Sequence, residues 1–169
     1  CDWSSDVCSS DLDRLIAKIK LFERRIDEYE MLLDESTIWL VRLQGVGYAK
    51  AEDMVDAGVS GPNVRAAGVN YDVRWAHPYS VYDQVDWEPA VEKPTSVKGA
   101  DCYDRYRVRM EEMRQSSKMI LDAIEKIPGG KNTNYSTGDE MILTKAPTRA
   151  PEGATGFSNY ECTRGASQF

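Results

Sequence analysis

The sequence predicts a mainly α-helical fold with small β elements. Two long segments space their apolar residues by three and four positions, which is the period of one helix face. The segment between them contains many glycines and several prolines, and this composition favours turns and short elements. The closing residues, 156–169, have the short, turn-containing pattern of a β-hairpin.

The two long helices are predicted from residue 13 to about residue 35 and from near Asp101 to residues 128–130, a Pro-Gly-Gly stop. The Asp101 side chain can cap the first turn of the second helix, with Asp104 at its third position. The apolar stripes comprise Leu15, Ile19, Phe22, Ile26, Tyr29 and Leu33 in the first helix and Tyr106, Met110, Met113, Ile120, Ile124 and Ile127 in the second. We interpret both stripes as core or subunit interface, since methionines at this spacing fill gaps between helices.

Residues 1–12, CDWSSDVCSSDL, show neither helical nor strand periodicity. They also lack the positive start and apolar stretch of a signal peptide. A back-translation of residues 2–12 resembles the end of a common sequencing adapter. We therefore expect a non-native tail and a chain that begins within a longer gene. The predicted organisation is this tail, a helical region over 13–130, and a linker with a truncated β region over 131–169.

The middle of the chain is predicted to hold only short elements. Residues 45–58 are typical of a turn, a short extended piece and a short helix. Residues 79–91 alternate aromatic or aliphatic with polar residues, so they should be extended, with Pro89 limiting their pairing. After residue 130 the chain is polar and proline-rich, which predicts a linker up to about residue 153.

Composition and charge exclude several classes of function. The formal net charge is −7, whereas a nucleic-acid interface needs clustered lysine and arginine. No apolar run approaches the roughly 18 residues needed to cross a bilayer. Outside residues 1–12 only Cys102 and Cys162 remain, too few for a disulfide framework, a metal signature or a four-cysteine cluster. We expect two reduced thiols in a cytoplasmic protein and no metal bound by this chain.

Side chains suited to catalysis are few. The single histidine, His77, precedes a proline in the irregular middle, where a surface or packing role is the usual one. Glu111 and Glu112 are adjacent on the second helix, so they face different directions and form no acid–base pair. Neither a dinucleotide nor a phosphate-loop motif follows Gly45 and Gly47. These features alone indicate a helical interaction domain, and we predict no catalytic residue in it.

The candidate site lies in the segment VSGPNVRAAGVNYDVR, residues 59–74. Its glycines permit turns that other residues resist and Pro62 fixes a backbone angle, so we expect a rigid loop. Such a loop can hold Arg65 and Arg74 against carboxylates or carbonyls. The candidate residues of this structural loop or subunit interface are Gly61, Pro62, Arg65, Gly68, Tyr71, Asp72 and Arg74.

Four motifs stand in order along residues 13–130. They are RRIDEYE (24–30), GVGYAKAEDMVDAGVSGPNVRAAGVNYDVR (45–74), HPYSVYDQVDWE (77–88) and GADCYDRYRVRMEEMRQSSKMILDAIEKIPGG (99–130). This arrangement resembles the D-subunit family of bacterial NADH–quinone oxidoreductase, respiratory complex I. Two departures are that Ala67 replaces the family's usual serine and that residues 131–154 lack its His-Phe-Lys helix.

The resemblance implies the fold that the D-subunit family shares with the large subunit of nickel–iron hydrogenases. It implies a peripheral subunit at the cytoplasmic face of the bacterial cell membrane. The implied partners are the iron–sulfur subunit, other peripheral-arm subunits, a membrane-arm subunit and quinone, with no nucleic acid. In that complex NADH reduces quinone through the 4Fe–4S cluster of the neighbouring subunit, and the reduction drives ion translocation.

Within such a complex, this chain is expected to bind no cofactor itself, to act as a structural clamp beside the quinone and cluster region, and to be inactive as an isolated fragment. No quinone-binding residue is assigned, because the family's headgroup segment has no counterpart in the sequence. Two alternatives stay open. The large subunit of a membrane-bound nickel–iron hydrogenase would need two cysteine pairs outside this chain. A non-catalytic helical interaction module fits the composition, but the length of the motifs favours the D-subunit family.

Overall fold

The computed structural model describes the backbone of residues 9–126 and 152–168, and the side chains of residues 12–126 and 152–168. The elements in these ranges are α1 (Ser9–Asp34), α2 (Thr37–Leu43), α3 (Ala51–Asp56), α4 (Pro62–Ala66), α5 (Val73–Ala76), α6 (Cys102–Lys126), β1 (Asn159–Cys162) and β2 (Gly165–Gln168). The mainly helical prediction is confirmed. Helix α1 begins at Ser9, within the segment 1–12; the interpretation of that segment as a non-native tail stays a prediction.

Helices α1 and α6 pack against each other, and α2 packs against both. Ile26 of α1 is fully buried. Polar groups also cross the contact: Arg114 Nη2 lies 2.9 Å from Asp27 Oδ1 and forms a second ion pair with Glu30. The apolar stripe predicted for α1 is therefore only partly covered within the described structure, since Leu15, Phe22 and Tyr29 are exposed.

The start of α6 follows the sequence prediction. Asp101 Oδ1 accepts hydrogen bonds from the amides of Tyr103 and Asp104, at 2.9 and 3.0 Å. In return, Asp104 Oδ2 accepts a hydrogen bond from the Asp101 amide at 3.1 Å. Each carboxylate thus binds backbone amides that have no partner within the helix, which is the arrangement of a capping box. Helix α6 is described to Lys126, and the predicted stop at residues 128–130 lies outside the described residues.

The middle of the chain forms short elements around a small apolar core. As predicted, residues 45–58 contain a turn, a short extended piece that bridges Ala49 to Ala100, and helix α3. The buried cluster joins this segment to α4 and α6 and comprises Met54, Val64, Ala66, Ala67, Ala90, Ala100 and Val108. The small side chains let the backbones of these short elements approach closely.

The prediction that residues 79–91 are extended is wrong for the first part of that segment. Residues 80–84 form turns, with the amide of Tyr82 donating to Tyr79 O at 3.3 Å. The alternating aromatic residues do not face a strand partner but pack on one another, with Tyr82 in edge contact with both Tyr79 and Trp87. Trp87 Nε1 also donates to Tyr82 O, at 3.2 Å. Ring packing thus holds a turn where the pattern suggested a strand.

The predicted C-terminal hairpin is confirmed. Strands β1 and β2 pair antiparallel, from Asn159 opposite Gln168 to Cys162 opposite Gly165. Most of the predicted linker, residues 131–153, lies outside the described residues. In the described ranges no helix combines the length and hydropathy required to cross a bilayer.

Candidate functional site: a buried arginine cluster

Helix α4 is built by the backbone properties predicted for the loop. Gly61 precedes it with a φ of 78°, which favours glycine, and Pro62 takes the first helical position, where no amide donor is needed. After the helix, Gly68 has a φ of 87° and its amide donates to Arg65 O at 3.1 Å. Where we expected a rigid loop, the segment 59–74 thus contains helix α4 between two turns.

The hairpin sits directly on this segment. A Cβ atom added to Gly61 would lie 2.4 Å from Gly165 Cα, so only glycine permits the approach of the two backbones. A Cβ atom added to Gly165 would likewise lie 2.6 Å from Ser60 Oγ. The amide of Ala166 donates to Ser60 Oγ at 2.9 Å. These contacts bring the hairpin to the start of α4.

Arg65 is the centre of the site and is only 2 % exposed. Its Nη1 atom lies 3.0 Å from Asp72 Oδ2 and 3.0 Å from Glu161 Oε1. Its Nη2 atom lies 2.5 Å from Glu112 Oε1. Nη1 also donates to Tyr71 O at 3.2 Å. One guanidinium thus joins α4, the loop before α5, helix α6 and strand β1.

Arg74 forms the second cationic member of the site. Its Nε and Nη2 atoms donate to Asp72 Oδ1 and Oδ2 at 3.0 and 2.7 Å, which is a bidentate ion pair. Its guanidinium carbon lies 4.6 Å from the Trp87 ring centroid and 5.6 Å from that of Tyr82. Burial lowers the pKa of Arg74, but the hydrogen bond and charge of Asp72 outweigh it, so the pKa stands above its usual value. Arg74 therefore stays charged.

Glu161 attaches the hairpin to the helical body through both backbone and side chain. Its Oε2 atom accepts from the Val73 amide at 3.3 Å, while its own amide donates to Tyr79 Oη at 3.2 Å. The five charged residues Arg65, Asp72, Arg74, Glu112 and Glu161 are called the arginine cluster below. It contains three carboxylates and two guanidiniums, so its formal charge is 2 − 3 = −1.

The structure brings together the three charged residues predicted for the site. Arg65, Asp72 and Arg74 lie in one cluster, Tyr71 contributes its carbonyl, and Gly61, Pro62 and Gly68 shape the backbone. Whether these residues form a subunit interface stays a prediction. Two acidic members, Glu112 and Glu161, were not predicted. The sequence analysis considered Glu112 only as an acid–base partner of Glu111. Glu161 lies 96 positions from Arg65, so no local sequence pattern connects these two residues.

The described residues do not offer a metal or cluster site. No group of three or more histidine, cysteine or acidic side chains in this part of the chain is arranged to hold a metal ion. Cys102 and Cys162 carry free thiols, and His77 is exposed. An iron–sulfur cluster does not fit this donor set, so we derive no chemistry of this chain through one.

The fold and the cluster describe a mainly helical protein whose short helices and hairpin are joined by buried ion pairs. Comparison with known families gives a more specific assignment. The family model described as respiratory-chain NADH dehydrogenase, 49 Kd subunit, matches residues 3–160. The chain belongs to this family, and the resemblance to the D-subunit family inferred from the four motifs is confirmed.

Individual relatives agree with this assignment. The chain is 50 % identical over 156 residues to the D 2 subunit of NADH-quinone oxidoreductase from Solibacter usitatus, covering 88 % of this chain and 39 % of that protein. It is 44 % identical over 155 residues to the D 2 subunit of the same enzyme from Thermodesulfovibrio yellowstonii, covering 92 % and 37 %. The chain thus spans about two fifths of the length of these relatives.

A solved structure has the same fold. The membrane-bound sulfane sulfur reductase, an archaeal respiratory membrane complex, contains a chain that matches with a TM-score of 0.75 and 27 % identity. The match covers 96 % of this chain and 42 % of that one. The expected fold of the complex I D-subunit family and its relatives is therefore confirmed for the described residues.

Proposed function

We propose that this chain is part of the peripheral-arm subunit of an NADH–quinone oxidoreductase and helps form the module in which quinone is reduced. The observation that carries the proposal is the 50 % identity to a protein named as the D 2 subunit of that enzyme. In the proposed complex, a 4Fe–4S cluster of the neighbouring iron–sulfur subunit supplies electrons to quinone. The reduction is coupled to ion translocation through the membrane arm, and the subunit lies at the cytoplasmic face of the membrane.

The contribution of this chain is structural. The arginine cluster joins α4, α6 and the hairpin, so it sets how the hairpin is presented to the rest of the complex. An arginine has no proton to give at neutral pH, which argues against direct acid–base catalysis by Arg65. Its ion pairs are instead suited to hold one geometry. We therefore interpret the cluster as a clamp that supports assembly with the iron–sulfur subunit.

This role predicts a separation of assembly from activity. Arg65→Ala, introduced into the complete subunit, should lower the yield of assembled complex more than the activity per assembled complex. Arg109→Ala is the matched control, because Arg109 lies on α6 but is exposed, with its side chain on Arg105 O and Asn63. Both quantities are measured by quantifying subunits after purification and by following NADH oxidation with a quinone analogue. Normal assembly with abolished quinone reduction would make Arg65 catalytic and contradict the clamp.

The isolated chain is expected to have no activity of its own. Its sequence has no nicotinamide motif, and its described residues hold no cluster ligand set. Purified chain is mixed with NADH and a soluble quinone analogue and followed at the NADH absorbance band. Turnover above a heat-killed control would show that this chain is itself a complete catalyst, which would overturn its proposed role.

A second candidate is the corresponding subunit of a respiratory membrane complex with a different acceptor. The archaeal sulfane sulfur reductase favours it, because its chain matches 96 % of this one. Its identity of 27 % is lower than the 50 % found for the Solibacter usitatus relative, so the quinone-linked function ranks first. Assays of the assembled complex with quinone and with a sulfane sulfur compound separate the two candidates.

A further inference from the structure

An open apolar groove, called the α3–β2 groove below, lies between helix α3 and the hairpin. Two adjoining cavities of about 560 Å³ each form it, and they share Val55 and Val69 in their walls. Val59, Val64 and Tyr71 complete the apolar wall of the first cavity. Val55 is 55 % exposed and Val59 is 37 % exposed, so the described residues leave this surface in solvent. Apolar surface gathered in a concave site is typical of an interaction site.

The rim of the groove carries one sign of charge. Glu52 and Asp56 of α3 line the second cavity, and no lysine or arginine lines either cavity. Neither carboxylate has an ion-pair partner in the part of the chain that the structure describes. Glu52 stands in the first turn of α3, where the helix dipole favours a carboxylate, but Asp56 stands in the last turn, where it favours a cation. Asp56 thus gains nothing from its own helix, and a cation on an occupant of the groove would complement it.

The groove also runs along a free strand edge. Among the described residues, β2 pairs with β1 alone. The Ala166 amide points away from β1, since it donates to Ser60 Oγ. Alternate residues of an antiparallel strand direct their backbone groups to the same edge, so those of Gln168 also point away from β1. Ala166 and Gln168 both line the first cavity, so the backbone groups of Gln168 lie unpaired at the groove.

These three features together favour an extended polypeptide segment as the occupant. An extended segment can hydrogen-bond a strand edge and insert alternate side chains into the apolar groove beside it. The acidic rim favours lysine or arginine on that segment. A small apolar molecule or an acyl chain would leave the strand edge unpaired and the charge of the rim uncompensated.

The length of the relatives indicates where the segment comes from. The chain spans 39 % of the Solibacter usitatus relative, so most of such a subunit lies outside it. A segment of the same polypeptide reaches the groove at a higher effective concentration than a separate chain does. We propose that the α3–β2 groove receives an extended, basic segment of the same subunit from outside this chain. That segment pairs with β2 at Gln168 and places lysine or arginine beside Glu52 and Asp56. This docking follows from membership of the family and is independent of the proposed enzymatic role.

Peptide binding to the full chain tests the proposal. Overlapping labelled peptides cover the part of the Solibacter usitatus relative outside the matched region, and their binding to the chain is measured by fluorescence anisotropy. We expect binding by a peptide in which lysine or arginine alternates with apolar residues. The absence of binding by every peptide overturns the proposal, and so does binding only by peptides without basic residues.

Charge reversal on α3 tests the acidic rim. Asp56→Lys should weaken binding of that peptide about fivefold or more, because an attraction is replaced by a repulsion. The matched control is Asp53→Lys, on the same helix and also exposed, since Asp53 lines neither cavity. It should change binding less than about twofold at physiological salt, because exposed charges are screened with distance. Equal effects of the two variants would show that overall charge holds the peptide, and they would overturn docking in the groove.

A neutral substitution tests the apolar wall. Val55→Gln removes apolar surface from the groove without changing the charge and should weaken binding about fivefold or more. Val97→Gln, at a fully exposed position that lines neither cavity, should bind like the unmodified chain. The urea midpoint of every variant is measured alongside, so that loss of the fold is recognised. Unchanged binding by a folded Val55→Gln variant means that the peptide binds elsewhere and overturns the proposal.

Hydrogen exchange tests the strand pairing itself. The bound peptide should slow exchange of the Gln168 amide, because pairing with β2 gives that amide an acceptor. Binding that leaves this exchange rate unchanged overturns the pairing with β2. Sedimentation of the chain alone covers the remaining occupant: a dimer that Val55→Gln dissociates would assign the groove to a second copy of the chain and would also overturn the proposal.

Discussion

The arginine cluster and the outward face of α1 differ in which side chains they bury. In the cluster, the side chains of Arg65 and Asp72 are 2 % and 0 % exposed and are held by several ion pairs. On α1, the charged pair Arg25–Glu28 lies in solvent, while large apolar side chains such as Tyr29, which is 55 % exposed, are left uncovered. The first region buries charge, and the second exposes apolar surface.

The difference shows which region specifies its own geometry. Buried charges need particular partners at particular distances, so the cluster allows few arrangements of α4, α6 and the hairpin. The exposed face of α1 does not need particular partners, because surface ion pairs contribute only about 0–1 kcal/mol to the free energy of unfolding. Substitutions in the cluster should therefore lower the free energy of unfolding strongly, and substitutions on the outward face of α1 should change it little.

The largest effect is expected for Arg65→Ala. It leaves the carboxylates of Asp72 and Glu161 buried without their shared partner, and breaking a buried ion pair in this way typically costs about 3–5 kcal/mol. The free energy of unfolding is measured in urea, with the exposed Arg109→Ala as control, expected within about 0.5 kcal/mol of the unmodified chain. A loss below about 1 kcal/mol for Arg65→Ala would show that the ion pairs of Arg65 do not fix the arrangement of α4, α6 and the hairpin.

A somewhat smaller loss is expected for Gly61→Ala. The substitution meets a backbone conformation (φ 78°, ψ −153°) that essentially only glycine adopts, worth about 1–3 kcal/mol, and also drives a Cβ atom to within 2.4 Å of Gly165 Cα. Gly58→Ala is the matched control: its φ of 69° is similar, but no atom lies within 4 Å of the added Cβ. Unfolding in urea should show a larger loss for Gly61→Ala. Equal losses would mean that the hairpin does not press on this turn.

The two faces of α1 can be compared within one helix. Ile26→Ala removes a fully buried side chain and should cost about 2–3 kcal/mol, whereas Leu32→Ala, at a position 65 % exposed, should stay within about 0.5 kcal/mol. Both are measured by urea denaturation of the chain. If Leu32→Ala proves as costly as Ile26→Ala, the outward face of α1 is covered in the folded chain.

The smallest effect concerns pH. Burial of the Tyr106 hydroxyl, aided by the carboxylates of Asp34 and Glu30, raises its pKa from 10.0 to about 12. The unfolded chain therefore loses this proton first, so the stabilisation is complete below pH 10 and is lost as the pH rises from about 10 to about 12. The urea midpoint is followed across this range. Tyr106→Phe should flatten the decline, while Tyr29→Phe, at an exposed position, should not.

Local sequence signals were sufficient for the two long helices and for the start of α6. The helical spacing of apolar residues predicted α1 and α6, and Asp101 caps α6 as its side-chain chemistry requires. The closing hairpin followed from its turn pattern. These features depend on residues within a few positions of one another, which is the range over which a sequence pattern carries information.

What the sequence could not provide was the pairing between distant residues. The positions of Arg65 and Arg74 among glycines indicated a rigid loop, but Glu161 reaches Arg65 only because the hairpin folds back onto the start of α4. The error over residues 79–91 has a different cause: Tyr82 packs on Trp87 within the segment itself, and this ring packing holds a turn that the alternating pattern did not indicate.

The most direct test of the clamp is a double-mutant cycle between Arg65 and Glu161. Arg65→Ala, Glu161→Ala and the double variant are unfolded in urea, and the coupling energy is the difference between the double loss and the sum of the single losses. Since Arg65 Nη1 lies 3.0 Å from Glu161 Oε1 in a buried setting, we predict a coupling energy of about 1.5 kcal/mol or more. Losses that add to within about 0.5 kcal/mol would show that the two residues act independently, and the arginine cluster would not hold the hairpin to the helical body.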